Sequence, residues 1–438
     1  MNVIAGIPYF EAEFDKNGKL TSPSPVLPDR VTDLFVVSHG WNNDKDEAEA
    51  LYEELFTNFM AVGDPADLAG RSLAIIGVIW PSKKFDELVA ASGEDQAVGG
   101  GASLNTSAAS DPVSLAAITA KLDAMERFFS DPSDVQRLRR ARALLPDLED
   151  KATARRQFVE ELRGLLDPSA ANKEDASTRF FKDDGNDIMK NLQIADKDLD
   201  KGLSAPQGGA SLPVGGGAAA GGGGGAVGFK QKIAGFLGAA MNVLNYTTYY
   251  EMKTRAGTVG KNGVGPLVDD LAPKVDRIHL VGHSFGGRVV SAAATASTTG
   301  KIRSMSLLQS AFSHNGFSKQ MSGFFRSVVE NKRVHGPILV THTPNDRAVG
   351  IAYPLASRLS GDQAAALGDK NDKFGGLGRN GAQKMETGET SDGVLLDTGG
   401  AYNFAAGRFF NLEASKFISG HSDVRGRQVA YAIRCAVR

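Results

Sequence analysis

The chain has 438 residues, 42% of them hydrophobic and 23% charged, with a formal net charge of −2. That length suits one large domain with insertions or two domains, and the near-neutral balance argues against a nucleic-acid binder, which needs a concentrated basic face. The single cysteine, Cys435, rules out an intramolecular disulfide and a multi-cysteine metal site. The start, "MNVIAGIPYFEAEFDKNG", lacks a basic segment followed by a long apolar core, and no uncharged apolar stretch reaches membrane-spanning length. A cytoplasmic location is the expectation, with export by a route lacking a cleaved signal as the alternative.

Taken in chain order, "TDLFVVSHGWNND" predicts a strand at Leu34 to Val37, a helix follows from Asp44 to Met60, and "SLAIIGVIWPS" predicts a second strand at Leu73 to Trp80. Strand, helix and strand at this spacing form a parallel βαβ unit. A long interruption comes next. Asp111-Pro112 has the form of an N-cap and first-turn proline, and Leu115, Ile118, Leu122, Met125 and Phe129 recur at helical spacing. Two more helices are expected at Ser133 to Leu145 and Asp147 to Leu166. The tract Gly208 to Gly228 has few large side chains and maximal backbone entropy, which predicts a mobile linker or hinge. Apolar residues return from Lys230 to Met252 as another helix. After "IHLVGHSFGGRVV" the strand rhythm resumes in "SMSLLQSAF", "GPILVTHTPND" and "RFFNLEASKFI", and "VRGRQVAYAIRCAV" predicts a closing helix. The expected architecture is therefore α/β, a mainly parallel sheet flanked by helices. Its core comprises residues 1–84 and 229–438, and residues 85–228 form a helical insert with a Gly-rich linker.

The segment Ile278 to Val290 holds the chemistry. An apolar strand meets Gly282-His283-Ser284-Phe285-Gly286, and a small-residue helix runs on to Gly300. On such a strand-to-helix turn, flanking side chains at Gly282 and Gly286 would collide, and the apex serine is pushed outward in a strained conformation. A serine hydroxyl needs a base to take its proton, and the imidazole needs an acid to hold its tautomer. Of the seven histidines, His279 and His283 lie too close along the chain, while His39, His314, His335 and His342 sit elsewhere. His421, in the loop between the last strand and the last helix, fits the base. Asp346, beyond the strand of "ILVTHTPND", fits the acid, with Asp423 as the alternative.

These segments resemble the α/β-hydrolase superfamily, specifically its serine esterases and lipases, whose elbow often takes the form "GHSFGG". The resemblance covers roughly residues 30–82 and 277–438 and does not extend to the insert. It implies an α/β-hydrolase fold with Ser284, Asp346 and His421 as the triad. It also implies an oxyanion hole from the backbone N–H groups of Trp41, in "VVSHGWNND", and Phe285. His39 and Gly40 would shape that loop. The expected reaction is hydrolysis of a small-molecule carboxylic ester or lipid through an acyl-enzyme, with no metal or other cofactor. A membrane-acting phospholipase or lipase effector, an amidase, and a catalytically dead binding module are the alternatives. The insert is expected to cap the site and to set acyl-length preference.

Overall fold

Leu34 and Val36 belong to one buried cluster and Phe35 and Val37 to another, because side chains alternate along a strand and both faces of this one are covered. A computed structural model describes residues 2–82, 115–171, 177–193, 235–346, 370–371 and 373–438. Its centre is a sheet of strands β1 (Asn2–Ile4), β2 (Ile7–Glu13), β3 (Asp33–Ser38), β4 (Leu73–Ile79), β5 (Arg277–His283), β6 (Ile302–Leu308), β7 (Ile338–His342), β8 (Thr390–Val394) and β9 (Phe409–Glu413). Their spatial order is β1-β2-β4-β3-β5-β6-β7-β9-β8. All neighbours are parallel except β1 and β2. The chain is thus α/β, as its strand and helix rhythm predicts.

On one face lie α1 (Lys45–Ala61) and, at the end of the chain, the helix Arg427–Ala436, which pack on Phe35, Val37, Ile75, Val281 and Leu339. Helix α1 begins with a full capping box, Asp44 accepting from Glu47 N–H and Glu47 accepting from Asp44 N–H.

The other face is covered in part by the insert. Helices α2 (Leu115–Phe128), α3 (Pro132–Ala143), α4 (Ala152–Arg163), α5 (Ser177–Lys182) and α6 (Gly185–Asn191) lead to α7 (Phe236–Val259), α8 (Gly265–Leu271) and α9 (Phe285–Ala296). Ile118, Leu122, Met125 and Phe129 are buried in one continuous cluster with Val243, Phe285, Val289 and the sheet residues Val36 and Ile76. The helical stripe read from the sequence is therefore core, shared with the sheet through α7, except for Leu115 at its start, which is exposed. Glycine tract 208–228 and the Asp111-Pro112 cap lie outside the described residues.

Three strands were not expected. In β2, Pro8, Glu11 and Glu13 interrupt the apolar pattern, and only Ile7, Tyr9 and Ala12 are buried, without strict alternation. In β8, "TSDGV" is half-exposed to exposed throughout and is held by pairing with β9 and by a bond from the Arg408 side chain to Thr390 O. Strand β1 is three residues long. The expected helix at 230–252 instead spans Phe236–Val259.

Candidate active site

All parallel strands deliver their carboxyl ends to one edge, and there the chain turns from β5 into α9 at Ser284. Ser284 adopts φ 56°, ψ −124°, a region that side chains rarely occupy and that marks stored strain. The turn is fastened to the neighbouring strand, since Ser284 N–H donates to Leu308 O at 3.0 Å and Ser284 O accepts from Ala311 N–H at 3.1 Å. The two glycines serve different neighbours. A Cβ on Gly282 would lie 2.4 Å from Gly286 O, within the turn, whereas a Cβ on Gly286 would lie 2.1 Å from Ser38 O on β3. The close packing that the sequence suggests is thus partly within the elbow and partly between the elbow and the adjacent strand.

Ser284, Asp346 and His421, separated by scores of residues in sequence, meet at this edge. His421 Nε2 lies 2.8 Å from Ser284 Oγ, and His421 Nδ1 lies 2.8 Å from Asp346 Oδ2. A carboxylate can only accept, so Nδ1–H donates to Asp346 and Nε2 is left to accept the serine O–H. Asp346 is fully buried beyond β7, and its N–H closes a turn onto Thr343 O at 3.1 Å. The other acid considered, Asp423, accepts from Ser419 N–H and Oγ at 2.9 and 2.8 Å and closes the turn that contains His421.

The loop after β3 lies against the serine. A Cβ on Gly40 would come within 2.6 Å of Ser284 Cβ. His39 is buried, stacked on Trp80 with ring centroids 5.6 Å apart, and burial pushes its pKa down to about 4. Its Nε2 accepts from Trp80 N–H at 3.3 Å, which leaves the proton on Nδ1 to donate to Gly40 O at 2.9 Å. Asn43 Nδ2 donates to the same carbonyl at 3.3 Å. Since C=O and N–H point opposite ways across a trans peptide, holding Gly40 O turns the Trp41 N–H away from His39 and Asn43. The Trp41 ring meets the Phe285 ring edge-on at 5.8 Å. Phe285 opens α9, where the first N–H groups have no partner inside the helix, and the Ser284 side chain does not cap them.

Three supporting residues escaped the sequence. His283 Nε2–H donates to His421 O at 2.9 Å, and burial, then the neighbouring His421, push its pKa down to about 3. Through this bond it holds the backbone of His421. Tyr52 on α1 accepts from His39 N–H at 2.8 Å and donates to Val78 O at 2.7 Å, tying β3 to β4. Gln309, at the end of β6, donates to Asp346. A polar residue ending an apolar strand is the only signal that "SLLQS" offered.

The remaining histidines lie apart. His279 bonds Asp33 and Ser304, His314 bonds Asn380, and His335 N–H donates to Ile302 O. His342 ends β7 opposite Glu413. Among the described residues, no group of three or more His, Cys, Asp or Glu could hold a metal ion, and no helix is long and apolar enough to cross a membrane. Comparison of the chain with protein-family models, curated proteins and solved structures returns no match, so the case for its chemistry rests on these residues.

Proposed function

We propose that this protein is a cofactor-free serine hydrolase of the α/β-hydrolase type that cleaves carboxylic esters of small molecules or lipids, in the cytoplasm. The observation that supports this most is the unbroken relay from Ser284 Oγ through His421 to Asp346, with both links at 2.8 Å. The strand order and the position of the serine after β5, with the acid after β7 and the base after β9, support the same reading.

In the proposed reaction His421 Nε2 removes the proton from Ser284 Oγ as that oxygen attacks the ester carbonyl. Asp346 holds the ring and balances the charge that develops on it. The N–H groups of Trp41 and Phe285 receive the oxyanion, helped by the positive end of the α9 dipole. His421 then returns the proton to the departing alcohol, leaving an acyl group on Ser284. Water, deprotonated by the same imidazole, releases the acid.

A series of p-nitrophenyl esters of increasing acyl length, run with and without lipid vesicles and with EDTA, tests this reading. Turnover indifferent to EDTA, with a fluorophosphonate probe attached to Ser284, is the expected outcome. Attachment at another serine, or no turnover of any ester, would count against it. Activation by vesicles would move the substrate to membrane lipids.

A further inference from the structure

The strand beside the nucleophile also ends on a strained residue. Gln309 follows β6 with φ 43°, in the left-handed region that costs any side chain bearing a Cβ. It is completely buried, and its Oε1 finds no hydrogen-bond partner among the described residues. A leucine or methionine would fill such a place without burying an amide. What the glutamine adds is two N–H donors. Nε2 lies 3.1 Å from Asp346 Oδ2 and 2.8 Å from Gly378 O. Both neighbours are acceptors, so the amide can face them only with its nitrogen. The backbone is fixed as well, since Gln309 N–H donates to Thr341 Oγ1 on β7 at 3.1 Å.

We propose that Gln309 is a positioning residue for the relay, a fixed donor that aims Asp346 Oδ2 at the imidazole of His421. The proposal rests on the serine-hydrolase reading above. Oδ2 is the oxygen that also accepts from His421 Nδ1, at 2.8 Å. A carboxylate on a turn can swing about its χ angles, and each rotation would lengthen the bond that sets the imidazole's tautomer. Gln309 takes the second lone-pair direction of that oxygen and is itself anchored to two other segments, so the carboxylate has one low-energy orientation. Adjacent strands β5 and β6 thus end on strained residues with complementary tasks. Ser284 presents the nucleophile, and Gln309 steadies the acid.

Two variants separate this role from simple packing. Gln309→Asn accommodates a left-handed backbone at least as well as glutamine, but is one methylene too short to reach Asp346. Gln309→Glu keeps the length and turns the donor into an acceptor. A lost hydrogen bond to a charged group should lower the rate of fluorophosphonate labelling of Ser284, and ester kcat with it, by about ten- to a hundredfold. KM of Gln309→Asn should stay near wild type, and its melting temperature should fall by only a few degrees, for the buried amide left unpaired. In an Asp346→Asn background the same substitution should cost nothing further, because the group it positions is gone. The low-field proton resonance of His421 Nδ1–H should also shift in Gln309→Asn. Wild-type labelling and turnover by Gln309→Asn, or an equal loss in the Asp346→Asn background, would overturn the proposal. Wild-type protein that takes no probe at Ser284 would refute the hydrolase reading instead. Gln309 would then be judged by the His421 resonance alone, and an unchanged resonance would overturn its role.

Discussion

Gly40→Ala places one methyl group where the structure has no space for it. The new Cβ would stand 2.6 Å from Ser284 Cβ, 3.2 Å from Ser284 Oγ and 3.3 Å from His283 Nδ1. Carbon atoms rest about 3.5 Å apart or more, so about 1 Å must be found by displacement. The serine can yield little, because its N–H and C=O are both bonded to the β6 end, and His283 is bonded to His421. The displacement therefore falls on the loop carrying Trp41, or on Oγ itself. A shift of about 1 Å costs about a hundredfold in rate, and loss of one oxyanion donor costs about 10² to 10³. The expected result is a kcat lower by about 10² to 10³, KM little changed, and a stability loss of about 1–3 kcal/mol from overpacking. Steady-state ester hydrolysis and urea denaturation measure both. Gly420→Ala is the control, since its Cβ meets nothing within 4 Å although it adjoins His421. Wild-type kcat and wild-type stability in Gly40→Ala would refute the argument that this loop is pressed against the nucleophile.

Ser284→Ala and His421→Ala should each lower ester turnover by about 10⁴ to 10⁶ with the fold retained, and Asp346→Asn somewhat less; more than a few per cent residual activity in either alanine variant would contradict the relay. Ser284→Gly should abolish turnover yet raise stability by about 1 kcal/mol, because glycine accepts the strained turn, and a lowered denaturation midpoint would show the turn to be relaxed. Stability should fall on acidification. His39 and His283 are held neutral with pKa values of about 4 and about 3, below the ordinary 6.5. The unfolded chain takes up protons first, so their contribution is full above pH 6.5 and is lost as pH falls toward 4 and then 3. For His39 the gap amounts to about 3 kcal/mol, and urea midpoints unchanged between pH 7 and pH 4 would contradict it. Leu122→Ala should cost about 2–5 kcal/mol as a core deletion, and a loss under 1 kcal/mol would mean that α2 is not part of the shared core.

The residues of the proposed relay were legible because that chemistry constrains few residue types. Glycine at 282 and 286 around Ser284, an aspartate after one apolar strand and a histidine after the last are all local patterns, and the structure brings those three side chains together. The two-sided strands were equally legible, since burial on both faces produces continuous apolar runs such as Leu73–Ile79. What escaped depends on partners distant in sequence. Nothing near Gln309 hints that its amide meets Asp346, 37 residues on. His283 looked excluded because only contacts of its own segment could be weighed, whereas its partner is the carbonyl of His421. Strands β2 and β8 lack a period because their places at or near the sheet margins demand little burial.

The interior strand β3 pairs on one side with β4 and on the other with β5, whose Arg277 is 244 residues beyond Asp33. During synthesis at about 5–20 residues per second, β5 emerges about 12–50 s after β3. For that interval β3 has a bare edge, and Asp33 has Arg71 but neither Arg277 nor His279 beside its buried carboxylate. The helices of the insert emerge within the same interval and close mostly local contacts. A ribosome-bound chain halted before residue 277 should therefore hold helices without a finished sheet, remain open to proteases along β3, and become resistant only once the strand carrying the serine has joined it.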